Sequence, residues 1–276
     1  MKRSELGTAL RALRQASGKE AKTVARGAVM STSKLSKIET GRVAPTVIDV
    51  ERILTAIGVS EAVKAEYMAA ARVEATETTA WRMYRRLGYH RKQQQIKALD
   101  ETMALLRLFQ PSLVPGLLQT PEYARAVFAR KNLTEDQLLK AVSGRLERQG
   151  VIYDTSKTLR FIITESVLRW RLLPAAMLAG QLDRLISASR LPNVDIRVVP
   201  LAVPQQDAPG HSFTIRDDRV VTVETVHAEI TITDPRDVGL YVQKFDGFWT
   251  SALSDGNMRH AVAAIRDEFL REQEIT

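Results

Sequence analysis

Between Ser31 and Thr40, the side chains of Thr32, Ser33, Lys34 and Lys37 form an outer face opposite Leu35 and Ile38, the large apolar residues of the run. Hydroxyls donate and accept single hydrogen bonds, and an ammonium carries three donors and a full charge. On a helix, such a face fits the major groove of B-form DNA, where it can bond base edges or phosphate oxygens. The same composition also describes an ordinary solvated helix face. A second group of cations, Arg82, Arg85, Arg86 and Arg91, is interleaved with Trp81, Tyr84 and Tyr89. It offers possible phosphate contacts. The preferred alternative packs Trp81, Tyr84 and Leu87 between domains while the arginines face water.

Chemistry of other kinds finds little support. The chain has no cysteine, which excludes disulfides, thiol nucleophiles and cysteine-bound zinc. His90, His211, His227 and His260 are scattered, with no pair at i, i+4 spacing. No phosphate-cradling glycine loop and no Gly-x-Ser-x-Gly elbow occurs. His211 and His227 could meet Glu224 and Glu229 in a sheet, but ordinary packing roles are expected for them. The expectation is therefore a protein that is no enzyme, with no catalytic residues, no metal and no cofactor.

Net charge sharpens the picture once it is divided. Residues 1–92 hold 18 Lys+Arg against 9 Asp+Glu, whereas residues 93–276 hold 22 against 23. A basic module joined to a neutral one is the electrostatic footprint of a polyanion-binding protein. Met1-Lys2-Arg3 runs straight into an amphipathic pattern, and no apolar stretch approaches the roughly 18 residues of a membrane span. A soluble, cytoplasmic, nucleoid-associated protein without membrane contact is expected.

The elements that must position the first face are short helices. Leu6, Leu10 and Leu13 predict a helix over 4–16 capped by Ser4, with Arg3, Arg11 and Arg14 exposed. Val24 and Ala25 point inward from a second helix at 20–28, and Ser31 caps the third. Gly41 stands where the residue after a helix needs the left-handed conformation. A fourth helix opens at Pro45-Thr46, where Thr46 and Asp49 approach a capping box, and stops at Gly58. Helix continues over 61–75.

The run Leu35-Ser36-Lys37-Ile38-Glu39-Thr40-Gly41-Arg42-Val43-Ala44-Pro45-Thr46 closely resembles the signature following the recognition helix of repressor-type helix-turn-helix proteins, the phage-repressor-like or XRE family. That resemblance covers about 55 residues. It implies that Ser31, Thr32, Ser33, Lys34, Lys37, Thr40 and Arg42 contact double-stranded DNA, and that Glu39 is structural, bonding backbone or an arginine. Two departures stand out: Ala21 where the family usually has glutamine, and Val29 where it favours glycine in the turn. A β-branched residue resists positive φ, so the turn is expected to be shaped differently.

In the remainder, a helix is expected over 96–109, ending at Pro111, and another opens at Thr120-Pro121-Glu122. A further helix covers 134–149. Strands are expected at 159–164, 194–200, 212–216, 220–226 and 229–233, and helices at 175–189, 237–251 and 258–273. The run Leu113 to Arg125, with Leu191-Pro192-Asn193-Val194 and Pro209-Gly210, resembles the companion domain of unassigned function in a large family of actinobacterial regulators, similar to antitoxins and to WhiJ-type regulators. The resemblance implies a sensing role and a possible small BldB-like partner protein.

The expected architecture is multi-domain: an all-α helix-turn-helix domain (1–75), a basic aromatic linker helix (76–98) and an α+β domain with a mixed sheet (99–276). The expected function is a homodimeric, operator-binding repressor or other regulator, controlled through its C-terminal domain by a small protein or small molecule. The alternative is an enzyme or ligand-binding module tethered to DNA by its helix-turn-helix.

Overall fold

The computed structural model describes residues 3–43, 45–74, 76–80, 89–205, 207–226 and 228–274. The chain divides into two compact units, Met1–Thr78 with Ile230–Val238, and Thr79–Glu229 with Gly239–Thr276.

Five helices open the first unit: α1 (Arg3–Ala16), α2 (Ala21–Gly27), α3 (Thr32–Glu39), α4 (Val47–Ile57) and α5 (Glu61–Glu74). None is long enough to be stable alone in water, so their order comes from a shared apolar stripe. Leu6 and Leu10 of α1, Val24 and Ala25 of α2, Leu35 and Ile38 of α3, and Val50, Ile53 and Leu54 of α4 are buried in one core. Each expected helix is present. The anticipated capping box of α4 forms in full, with Thr46 and Asp49 exchanging side-chain-to-backbone hydrogen bonds, and Gly58 closes the helix in the left-handed conformation.

The C-terminal sequence folds as a mixed sheet with helices, as its alternating pattern predicts. Strand β1 (Thr76–Ala80) is followed, beyond residues 81–88, by α6 (Tyr89–Thr102) and β2 (Leu105–Gln110). Helices α7 (Pro121–Ala129) and α8 (Glu135–Arg148) lead through a 3-10 turn at Gln149–Tyr153 to β3 (Thr158–Thr164). Then come α9 (Glu165–Arg169), α10 (Ala175–Ala188), β4 (Val194–Val199), β5 (Phe213–Arg216), β6 (Val220–Glu224), β7 (Ala228–Ile232), α11 (Pro235–Ser251) and α12 (Asp255–Glu274). Within the second unit the strand order is β6-β5-β2-β3-β4. Pairs β2–β3 and β3–β4 are parallel, and β2–β5 and β5–β6 are antiparallel.

Two expectations need correction here. The helix anticipated over 96–109 ends at Thr102, and Leu105–Gln110 is β2, the strand where parallel and antiparallel halves meet. A six-residue run with four apolar residues fits either state by periodicity; pairing on both sides decides for strand. The stretch 76–98, expected as one helix, begins as β1 and ends within the helix that opens at Tyr89, with residues 81–88 outside the described residues.

Register sorts the side chains of the sheet. Leu106, Leu159, Phe161, Ile163, Ile196 and Val198 face Leu178, Leu182 and Leu185 of α10 and Val262, Ile265 and Phe269 of α12. On the other face Phe109 stacks on Phe248 of α11 at 4.6 Å and tilts against Phe213.

Candidate nucleic-acid interface

Helix α3 is fixed at both ends by its own sequence. The Ser31 hydroxyl accepts the Lys34 N–H at 3.1 Å, satisfying one donor that a helix start leaves free. At the other end the Arg42 N–H reaches the Lys37 carbonyl (2.8 Å) and the Gly41 N–H the Ile38 carbonyl (3.0 Å). With Gly41 at φ +71°, this is a Schellman cap.

Helix α2 ends the same way, although glycine is absent. Met30 N–H bonds the Ala25 carbonyl, Val29 N–H bonds the Arg26 carbonyl, and Val29 adopts φ +56°. The turn therefore keeps the left-handed geometry, contrary to the expectation drawn from its β-branched residue. That conformation costs an L-residue roughly 1–2 kcal/mol. The Val29 side chain is exposed, so the strain is local and the flanking caps and core impose it.

Two contacts set α3 against α1. A Cβ on Gly7 would lie 2.2 Å from the Ile38 carbonyl oxygen, so only glycine allows the helices to approach this closely. Arg14 then grips Glu39 through two parallel bonds, Nε to Oε1 at 2.7 Å and Nη2 to Oε2 at 2.8 Å. The hydrogen bonds that Arg14 donates to Glu39 hold its guanidinium above its ordinary pKa. Glu39 is structural through an arginine, as the family resemblance implies. Arg14 is half-buried in that pair instead of exposed.

With Leu35, Ile38 and Glu39 turned inward, α3 presents Thr32, Ser33, Ser36 and Lys37 to solvent. Ser36 belongs to this face, three residues from Ser33 and four from Thr32. Sequence reasoning passed over it, though the spacing already placed it there. Lys37 and Arg42 are exposed, and among the described residues neither is seen in an ion pair. Thr40 donates its hydroxyl to the Ser36 carbonyl at 2.8 Å, leaving its oxygen to accept.

Lys34 is arranged differently. Its Nζ bonds Asp49 Oδ1 at 2.6 Å, tying the start of α3 to the capping box of α4. Burial pushes the Asp49 carboxyl up, but the bonds from Lys34 and Thr46 outweigh it and hold the group below the usual carboxylate range. The Lys34 charge is therefore already paired before any DNA is present. Among the other expected phosphate contacts, Arg91 is exposed on α6, while Arg82, Arg85 and Arg86 lie outside the described residues.

Among the described residues the C-terminal histidines form no second cluster. His211 is exposed and pairs with the Tyr241 hydroxyl at 3.3 Å; Glu229 is buried against Lys92; His227 lies outside the described residues. Among the described residues no cluster of His, Cys, Asp and Glu could hold a metal. Among them too, no helix is long and apolar enough to cross a membrane.

A short helix with a small, polar and basic outer face, held against a partner helix by buried residues and caps at both ends, defines a helix-turn-helix DNA-binding protein. Residues 5–67 match the family profile described as a helix-turn-helix domain. Residues 93–263 match the profile described as a domain of unknown function (DUF5753), and the chain belongs to that family. No curated protein matches the chain significantly.

Among solved structures the chain is similar to TrmBL2, an archaeal chromatin protein described as showing a novel mode of DNA binding. Identity is 16%, with 66% of this chain and 54% of that one covered, at a TM-score of 0.33. This chain thus spans about half the length of that neighbour. Also similar are Nuc of Salmonella typhimurium, a phospholipase D family member, and NucT from Helicobacter pylori. Identities are 10% and 11%, each match covers 65% of this chain and 98% of the other, and TM-scores are 0.35 and 0.36.

Proposed function

We propose that this chain is a sequence-specific transcriptional regulator that reads an operator with α3 and is controlled through its C-terminal domain. The observation that carries the reading is the outer face of α3. Thr32, Ser33, Ser36 and Lys37 project from a helix whose opposite side is locked by Leu35, Ile38 and Glu39. In this docking mode the residues near the start of the recognition helix reach base edges, and cations at its end meet phosphates. That assigns Thr32, Ser33 and Ser36 to base edges or adjacent phosphates, and Lys37 and Arg42 to phosphates. Ser31 and Thr40 serve mainly as helix-end hydrogen-bond partners at the edge of the interface. Lys34 joins DNA only by exchanging Asp49 for a phosphate or base.

The chain works as a homodimer on an inverted repeat. A single short helix reads few bases, and two-fold pairing doubles the site. The domains are 1–75 for DNA, 76–98 as connection and 99–276 for signal reception and dimerisation. The signal is a small molecule or a small protein partner, and the protein acts in the cytoplasm as a regulator, not an enzyme. A signal controls operator affinity only by binding one dimer geometry better than another.

The test is titration of the full-length protein against its own upstream DNA and a scrambled duplex at two salt concentrations, with Ser33→Ala and Lys37→Ala alongside. Specific binding is expected to exceed non-specific binding by about 10³-fold or more, with Ser33→Ala removing most of that preference. Equal, steeply salt-dependent binding to both duplexes would reduce the helix-turn-helix to an electrostatic tether and overturn the reading. Lys34→Ala is a poor choice for this test because it also unbinds Asp49.

A further inference from the structure

Beside matched buried pairs such as Lys92 with Glu229, the C-terminal domain buries two arginines whose Nε atoms have no hydrogen-bond partner. On α6 the side chains turned inward are Tyr89, Lys92, Gln93 and Asp100, while Leu99 is exposed. Asp100 is committed to Arg216 of β5, which bonds its Oδ1 through Nε at 3.0 Å and Nη2 at 2.9 Å. Beside this pair, Arg145 and Arg148 come from the last turn of α8, one helical turn apart.

Arg148 is 9% exposed, and its Nε has no hydrogen-bond partner, standing 3.7 Å from Asp100 Oδ2 in an ion pair too long for a hydrogen bond. Arg145 gives Nη1 to Gln119 Oε1 at 2.7 Å and lies over the Phe128 ring at 4.2 Å, but its buried Nε is also without a partner. The Gln93 amide oxygen, on the helix facing α8, is unpaired as well. Glu224 acts on both arginines only through its longer-range charge.

The loop Pro115–Gln119 closes over the arginines. A Cβ on Gly116 would meet Arg148 Nη2 at 2.8 Å, and the Gln149 amide holds the Gly116 and Gln119 carbonyls at 2.9 and 2.8 Å. Burying a charge without a bonded counter-charge is strongly unfavourable. Burial, and then the charge of Arg148, push the Arg145 guanidinium down to about 9. The partial negative end of α8 offsets this only in part.

We propose that Arg145 and Arg148, under the Gly116 loop, form a binding site for a small oxyanion, a carboxylate or a phosphate. The two free Nε–H donors meet its oxygens, as guanidinium groups do in charge-assisted pairs, and Gln93 and Gln119 mark where further polar atoms of the ligand find partners. This site gives chemical content to the signal-reception role assigned to the domain and rests on that reading.

Calorimetric titration of the full-length protein with inorganic phosphate and, separately, with succinate tests it. Saturable one-to-one binding of one of the two is expected, and which one binds identifies the ligand type. Arg148→Met and Gly116→Ala, the second displacing the guanidinium without removing it, each weaken that binding about 30-fold or more. Without anion, Arg148→Met melts at or above the wild-type temperature, because it deletes a buried charge that lacks a bonded partner. No saturable heat with either salt, or equal affinity in both variants, overturns the proposal. Operator affinity measured with and without the bound anion tests the regulatory reading separately: binding that leaves operator affinity unchanged keeps the site and removes its role as the switch.

Discussion

The two halves of this chain handle positive charge in opposite ways. In the helix-turn-helix the buried carboxylates are paired, Glu39 with Arg14 and Asp49 with Lys34, and Lys37 and Arg42 stand in water. In the C-terminal domain two interior arginines, Arg145 and Arg148, each keep an Nε without a hydrogen-bond partner, Arg148 facing Asp100 only at 3.7 Å. Exposed cations stay fully solvated and attract an extended polyanion at modest gain per contact, with strong salt dependence. Buried unmatched cations select a ligand small enough to enter and able to return hydrogen bonds. The contrast thus separates the surface proposed for DNA from the site proposed for a small anion within one chain.

The comparison can be broken most severely at Gly7. Gly7→Ala drives a Cβ against the Ile38 carbonyl and should destabilise the helix-turn-helix by about 3 kcal/mol. Calorimetric melting would show a lowered N-terminal transition and an unchanged C-terminal one; a single shared shift would mean that the halves unfold together. Glu39→Ala comes next. It leaves a half-buried guanidinium without its two bonds and should cost about 2 kcal/mol by chemical denaturation. Operator affinity should fall only as far as folding does, since Glu39 faces inward.

Lys37→Ala sharpens the comparison at the surface. It should lower the slope of log K against log salt by about 0.9, while leaving stability within about 0.5 kcal/mol. Arg148→Met should leave that slope unchanged, because its charge faces the protein interior.

Acid should act on the N-terminal half through Asp49. Its folded-state pKa lies below the unfolded value of about 3.9, so its contribution is complete above about pH 4. That contribution is lost as pH falls through the folded-state value. Melting temperature followed from about pH 5 to 2 should show this loss, and Lys34→Met should shrink it. Val29→Gly carries the smallest effect. Relief of left-handed strain, less the greater entropy of unfolded glycine, should stabilise by roughly 0.5–1 kcal/mol.

Much of the helix-turn-helix was legible because its signals are local. The Ser31 cap, the Thr46–Asp49 box, and Gly41 and Gly58 at helix ends act over one turn of chain, and their residue types state their roles. The turn at Val29 misled because a local preference worth about 1–2 kcal/mol yielded to core packing and a Schellman cap. Helix α6 misled for a related reason. A new helix was expected from residue 96, yet the residues α6 buries are Tyr89, Lys92, Gln93 and Asp100, and the charges that meet Lys92 and Asp100 are remote in the chain. A sequence pattern weighted by hydrophobicity places such a helix the wrong way round wherever polar groups meet inside.

What the sequence alone determined, then, is the helix-turn-helix with its caps, the outer face of α3, the mixed α+β character of the rest and the concentration of positive charge in the first third. Tertiary structure alone decided which charges are free. Lys34 is paired by a residue 15 positions away, Arg14 by one 25 away, and Asp100 is taken by Arg216 at a separation of 116. A charge's neighbours, and so its availability to DNA or to a small anion, are set by chain segments that only folding brings together, because electrostatic and hydrogen-bond energies depend on distance in space and not on distance along the chain.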